Sequence, residues 1–198
     1  MRARKVAIVG VVLMGLSVVC VGGKKSPSVV DSVDLEKYVG RWYAIASIPT
    51  TFERRCVAGT TADYTILENG QVEVVNTCYD VDGNTYRVVG RAWVPDKKEP
   101  GKLKVSFVRF LGLWLFAGRY WIVDLAEDYG YAVVGHPSYR FGWILSRTPT
   151  LPDSTFQEIV ERLEDQGYSF DDFRRIDQSM HMPSPSPDES AEQEGCSQ

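Results

Sequence analysis

The sequence predicts an all-β fold: an eight-stranded antiparallel up-and-down β-barrel with one C-terminal α-helix packed outside. Three observations carry that reading. Eight short runs that are apolar, or that alternate apolar with polar residues, follow one another at even spacing: 41–48, 57–67, 71–78, 85–94, 102–109, 119–125, 130–135 and 141–146. The separators hold the residues that tight turns need, among them Glu68-Asn69-Gly70, Asp82-Gly83-Asn84, the stretch from Pro95 to Gly101, and His136-Pro137-Ser138. Two short signatures, Gly40-Arg41-Trp42-Tyr43 and Ile144-Leu145-Ser146-Arg147-Thr148-Pro149, sit at the first and last strands. A chain of 198 residues has room for one such domain, over residues 31–178, with appendages at both ends.

The order of elements begins with an export signal at residues 1–20. Arg2, Arg4 and Lys5 precede an apolar run from Val6 to Val19, which is shorter than the roughly 20 residues that span a bilayer. Residues 21–30 contain Gly, Ser and Pro and read as a flexible tether, and residues 179–198, rich in Pro, Ser and acid, read as a disordered tail. Neither has the apolar content to offset its ordering entropy by burial. After the eighth strand Phe156, Ile159, Val160 and Leu163 recur at helical spacing, Ser154 with Gln157 forms a capping box, and Gly167 stops the helix. That helix lays its apolar stripe on the barrel and turns its charges to water.

In a meander each strand reverses the last, so parity places every loop. Trp42 opens strand one and Arg147 follows strand eight, at the same end. The opposite end collects 49–56, 79–84, 110–118 and 136–140, which frame a mouth. An eight-stranded barrel holds one small ligand when its own side chains do not fill it. With Trp42 inward, alternation turns Ala44 and Ala46 inward as well, and gives Tyr64 and Ile66, Val72 and Val74, and Leu103, Val105 and Phe107 as further inward sets. Two alanines on one wall leave room for a ligand; the alternative is that these residues fill a core. Run 85–94 is mixed on both faces and leaves the direction of Trp93 open.

The mouth loop 110–116, with Leu113 and Trp114, is nearly all apolar. Such a loop marks ligand entry, a partner or a membrane, or else it folds in as a lid or continues its flanking strands as a long hairpin. Arg54, Arg55, Arg109, Arg119 and Arg140 also fall at or near the mouth. A basic rim over an apolar cavity suits a ligand with an acyl tail and an anionic head, because guanidinium pairs bidentately with carboxylate or phosphate. Taken one at a time, these arginines are ordinary solvated loop charges.

The segments Tyr38-Val39-Gly40-Arg41-Trp42-Tyr43, Phe52-Glu53-Arg54, Val75-Asn76 and Trp143 to Pro149, in this order and spacing, resemble the lipocalin family, in particular its bacterial and apolipoprotein D-like members. The resemblance implies that Gly40, Trp42 and Arg147 form a structural motif, the guanidinium lying over the indole to shut one barrel end. It implies a binding protein rather than an enzyme, with no cofactor or metal, that stores or transports a fatty acid or lysophospholipid in the barrel. Many relatives carry the pair Cys56 and Cys78, which implies a disulfide. An ideal turn at Asn69-Gly70 leaves these two several residues out of register, so the bridge needs a bulge or a curled second strand. Cys20 resembles the lipidated cysteine of bacterial lipoproteins, which implies an envelope protein anchored in a membrane, and Val21 after it points to the outer membrane. Val19 is bulkier than the small residue such sites carry, so cleavage near Gly22-Gly23, giving a periplasmic or secreted protein, stays open.

The chain carries 22 basic and 26 acidic residues, a net charge of −4, and loss of Arg2, Arg4 and Lys5 makes the mature form more acidic still. Nucleic-acid phosphates demand a basic face, so a nucleic-acid role is excluded. No Gly-rich phosphate loop and no Cys or His pair at zinc spacing is present. Two other readings remain beside lipid binding. One is an enzyme acting on a hydrophobic substrate through Cys56 or His136, which needs a base or positive site to lower a thiol pKa. The other is an envelope interaction module whose apolar mouth loop docks another protein or a second copy of the chain as a homodimer.

Overall fold

The computed structural model describes residues 26–181. Helix α1 (Leu35–Tyr38) leads into strands β1 (Gly40–Ser47), β2 (Ala58–Ile66), β3 (Val72–Tyr79), β4 (Thr85–Trp93) and β5 (Lys102–Ser106). A small hairpin of β6 (Val108–Phe110) and β7 (Leu113–Leu115) follows, then β8 (Gly118–Leu125), β9 (Tyr131–Gly135) and β10 (Gly142–Ser146). Helix α2 (Asp153–Asp165) and the short strand β11 (Arg174–Arg175) come last. Strands β6 and β7 pair only with each other, whereas β1 to β5 and β8 to β10 pair in sequence and β10 returns to β1. The eight-stranded antiparallel barrel is therefore closed. Its fifth run, read as one strand over 102–109, breaks at Phe107 into β5 and the outlying hairpin.

The shut end is built from both ends of the barrel sequence. Trp42 is fully buried, donates its Nε1 hydrogen to the Tyr38 carbonyl at 2.8 Å, and lies under Arg147, whose guanidinium carbon is 3.8 Å from the ring centroid. The same guanidinium donates to the carbonyls of Lys37, Tyr38, Arg41 and Tyr129. A planar fork of five donors does this; an ammonium does not. Gly40 has φ +94°, a backbone conformation that favours glycine, and a Cβ there would be in van der Waals contact with Arg147 Nη1 at 3.4 Å.

Two apolar clusters share the barrel wall. The inner one holds Tyr38, Trp42, Ala44, Tyr64, Val74, Ile122, Val134 and Leu145. The outer one joins Phe156, Ile159, Val160 and Leu163 of α2 to Ile45, Ala46, Val133 and Ile144. The helical stripe is as the sequence predicts, but its start differs. Pro152 is the N-cap, with φ −55°, and no side chain caps the helix; Gln157 instead reaches Glu161. Proline presets the helical φ ahead of Ser154, which lies inside the first turn and does not cap. The other end closes through the Gly167 and Tyr168 amides, which donate to the carbonyls of Glu164 and Leu163.

Ala46 does not face the interior. Ala44 and Ala46 pair with the consecutive residues Leu145 and Ile144, so β1 carries a bulge between them. The extra residue shifts the alternation, and Ala46 packs beneath α2 with Ile45. Beyond Tyr43, β1 and β2 no longer pair, and the C-terminal segment fills the gap. β11 pairs with Ala46 and Ser47, Ile176 donates its amide to the Ile45 carbonyl, and the Gln178 side-chain amide donates to the carbonyls of Ala44 and Thr60 at 2.7 and 2.9 Å.

The described parts of the two segments expected to be flexible, residues 26–30 and 179–181, contact the barrel. Residues 179–181 form a 3₁₀ turn, with the His181 ring against Tyr43 and Tyr79, because aromatic neighbours compensate the ordering cost. At the other end Pro27 is buried, Ser28 reaches Gln166, and the Val30 amide donates to the Ile122 carbonyl at 3.0 Å. The segment expected to be an export signal, Cys20, residues 21–25 and residues 182–198 lie outside the described residues.

Replacing Trp42 by Ala is expected to destabilise the barrel by about 3–5 kcal/mol through the cavity it leaves. Urea denaturation followed by circular dichroism measures this; an unchanged midpoint contradicts the structural role.

Candidate functional site: the barrel cavity

A cavity of about 480 Å³ occupies the barrel and opens at the end away from Trp42, where parity places the mouth. Alternation delivers most of its wall. Ala44 of β1, Tyr64 of β2, Val74 of β3, Val105 of β5 and Phe107 line it, as read from the sequence. Val72 does not: it is buried in the inner cluster and absent from the cavity wall. Ile66, two residues past Tyr64, is exposed. On β4, Tyr86 and Val88 line the cavity, while Trp93 faces an outer groove.

The rim is less basic than expected. Arg54 and Arg55 are exposed and do not line the cavity, although the Arg55 guanidinium lies 5.9 Å from the ring of Tyr86, which does. Arg140 is exposed on the β9–β10 loop and is absent from the wall. The turn after β1 instead presents Phe52 and Glu53, and Glu53 is held there by the Trp143 indole N–H at 2.9 Å and the Thr50 hydroxyl at 2.6 Å. Arg119, at the start of β8, is the arginine that reaches the cavity. His136 stands beside it, and burial together with the Arg119 charge holds its pKa below the usual histidine value. At neutral pH the cationic side chain on the cavity wall is thus Arg119.

The apolar mouth loop splits in two. The Ser106 hydroxyl bonds the carbonyls of Val108 and Leu115 and gathers the base of the β6–β7 hairpin, so the chain leaves the barrel wall at this point. Val108 and Phe116 stay at the cavity, whereas Leu113 and Trp114 face an outer groove with Arg91, Trp93 and Arg109. Trp114 takes the guanidinium groups of Arg91 and Arg109 at 5.4 and 5.8 Å from its ring. Cation–π contact on the outside of the barrel is therefore what places this tryptophan. The loop is neither an inward lid nor a continuation of its flanking strands: β6 and β7 form a separate two-stranded sheet.

Cys56 and Cys78 are disulfide-bonded, with Cα atoms 5.4 Å apart, and both line the mouth. The irregularity that the sequence register requires is present as a shift in β2–β3 pairing between Ala58 and Thr61. The bond leaves neither sulfur as a thiolate, and His136 has neither thiol to activate.

The sequence reading missed a polar group at the inner end. Tyr120 Oη lies 2.9 Å from Tyr38 Oη and 3.0 Å from Tyr64 Oη, with Tyr64 and Tyr120 on the cavity wall. Burial pushes Tyr64 up to about 12, and holds Tyr38 and Tyr120 well above the ordinary phenol value. Two signals for it exist in the sequence. Tyr38 belongs to the Gly40–Trp42 motif, and Tyr120 shares the inward alternation of Ile122.

Residues 33–178 match the family model described as a lipocalin-like domain. The chain belongs to the lipocalin family. This lipocalin is 35% identical over 163 residues to temperature-induced lipocalin-1 of Arabidopsis thaliana, a match covering 81% of this chain and 87% of the other. It is 36% identical over 163 residues to mouse apolipoprotein D, covering 78% and 82%. With the outer membrane lipoprotein Blc of Vibrio cholerae it shares 32% identity over 170 residues, covering 85% and 94%. Lobster apocrustacyanin A1 shares the fold at a TM-score of 0.59 and 18% identity, over 86% of this chain and 97% of that one. Insecticyanin of Manduca sexta does so at 0.61 and 23%, over 78% and 85%. Lipocalins bind small hydrophobic ligands and are in general not enzymes.

Replacing Cys56 and Cys78 together by Ser reopens a loop of 22 residues and is expected to cost about 3 kcal/mol of stability by the chain-entropy relation. Denaturant titration of oxidised parent and double variant checks it; coincident curves contradict it.

Proposed function

We propose that this lipocalin stores or carries fatty acids or lysophospholipids in its barrel cavity, in a bacterial envelope, held at a membrane by a lipid on Cys20. The observation that carries the ligand class is an apolar, one-ended cavity with an arginine at its rim. Its volume of about 480 Å³ lies within the range of sites that enclose small molecules, about 300–1,000 Å³. Val74, Val88, Val105, Val134 and Leu145 supply an aliphatic wall suited to an acyl chain. Arg119 supplies a bidentate partner for a carboxylate or phosphate head. At the rim, Phe52 and Phe116 are exposed, at 62% and 87%, which suits passage of a chain from a lipid surface. The envelope address is supported by the likeness to outer membrane lipoproteins of Vibrio cholerae and Escherichia coli.

Organic extraction of the purified protein, followed by mass spectrometry and by displacement of a fluorescent fatty acid, tests the reading. Recovery of an acyl lipid is the expected result; no lipid recovered and no probe bound overturns it.

Arg119→Gln is expected to weaken a fatty acid several-fold more than the alcohol of the same tail. The difference should shrink as salt rises, because exposed charges are screened beyond about 8–10 Å at ordinary ionic strength. Equal effects on acid and alcohol remove Arg119 from head-group recognition. For the anchor, Cys20→Ser is expected to leave unlipidated protein in the soluble fraction or to block processing. Membrane partition and mature mass identical to the parent's refute it.

A further inference from the structure

The inner end of the cavity is apolar around its tyrosine hydroxyls, and the next polar side chain toward the mouth is Asn76, opposite Ala62. Ala44, Ala62, Val74 and Leu145 surround the hydroxyls of Tyr64 and Tyr120, and Tyr38 stands behind them in the closed end. The three hydroxyls have three hydrogens to donate, and their two mutual hydrogen bonds use two of them. One donor hydrogen, together with acceptor lone pairs, is left with no protein partner among the described residues. Tyr38 is sealed from the cavity, so an incoming group meets Tyr64 or Tyr120. A donor left unmet in such surroundings costs about 1–3 kcal/mol, so this end of the cavity favours a ligand oxygen over a methyl terminus.

Charge decides which oxygen. The charged side chains on the cavity wall, Glu53 and Arg119, belong to the rim; the Arg147 guanidinium lies behind Trp42 and Tyr38, bonded to backbone carbonyls and absent from the wall. A carboxylate driven to the base loses its hydration without an opposite charge, a far larger penalty than that of a hydroxyl or carbonyl. Burial also keeps these phenols protonated, as donors rather than phenolates.

We infer that the cavity selects, among acyl ligands, those whose inner end carries a neutral hydroxyl or carbonyl oxygen, docked on Tyr64 and Tyr120 while the head stays at the rim. Omega-hydroxy and omega-oxo acyl chains are the chemical class that fits. The inference rests on the acyl-ligand reading above and adds a recognition element at the far end of the tail.

The test compares unsubstituted and ω-hydroxy fatty acids of 12, 14 and 16 carbons by displacement of a fluorescent fatty acid, in the parent and in Tyr120→Phe and Tyr64→Phe. At the chain length that binds best, the parent is expected to hold the ω-hydroxy acid at least as tightly as the plain acid, despite its greater hydration. Tyr120→Phe is expected to weaken the ω-hydroxy acid about tenfold and the plain acid less than twofold, the size of one lost buried hydrogen bond. Tyr64→Phe should act in the same direction. Retained binding of the plain acid shows that a variant is folded. A parent that rejects the ω-hydroxy acid at every length overturns the inference and leaves the fatty-acid reading standing. So does equal loss of both ligands in both variants, which assigns the tyrosines to the barrel frame or to a carboxylate. If the parent binds neither acid, the fatty-acid reading fails first and the inference with it.

Discussion

A guanidinium laid on an indole decides the rest of this architecture. Arg147 follows the last barrel strand and Trp42 lies in the first, so their contact at 3.8 Å brings β10 back to β1 and turns a twisted sheet into a cylinder. Four carbonyls from α1, β1 and the β8–β9 turn bond the same side chain, which leaves that end no room for a ligand. Cation–π attraction reaches about 2 kcal/mol when the pair is desolvated. Its larger effect here is geometric. With one end shut, every inward side chain is either a floor or a wall, and entry is confined to the loops opposite.

The wall then serves two clients. Trp42 and Ala44 of the first strand point inward and Tyr43 outward; Ile45 and Ala46 both join the outer cluster with α2, and a single bulge makes the change. The cost of that switch is a set of unpaired backbone groups where β1 and β2 diverge. Residues 174–178 meet it with β11, the Ile176 amide and the Gln178 side chain. The helix and the C-terminal strand are thus consequences of one irregularity in β1. The C-terminal segment also bridges Ala58, two residues past the disulfide-bonded Cys56 at the mouth.

Much of this was legible from residue pattern. Alternation located every barrel strand to within a residue or two, except where 102–109 broke, and parity placed the mouth correctly from Trp42 and Arg147. The stripe of Phe156, Ile159, Val160 and Leu163 was readable because the helical period is strong. Period-two reading failed at Ala46 because a bulge leaves no residue-type signature in a run of small apolar side chains. Loop parity and apolar composition misplaced Leu113 and Trp114 at the mouth because a bend in the chain, which no local pattern encodes, brings Trp114 to Arg91 and Arg109. Counting arginines near the mouth overstated the rim: loop position says which residues are near an opening, and only the turn geometry says that Glu53 rather than Arg54 or Arg55 faces it. The tyrosine hydroxyls were hidden for a related reason, since their contact joins α1, β2 and β8 across the barrel.

The docking of residues 26–30 against β8 and the end of α2 sets the length of a leash. Whatever shape residues 21–25 take, covalent geometry lets them span no more than about 18 Å. On an anchor at Cys20, the barrel then does not roam the space beside a membrane but pivots on its surface. With such an anchor, the exposed side chains around the mouth would meet acyl chains at the effective concentration of a tethered partner, in the millimolar range for short linkers, rather than at the dilution of a free carrier. Such a protein gains from weak, fast contacts with the bilayer, because each missed encounter is soon followed by another.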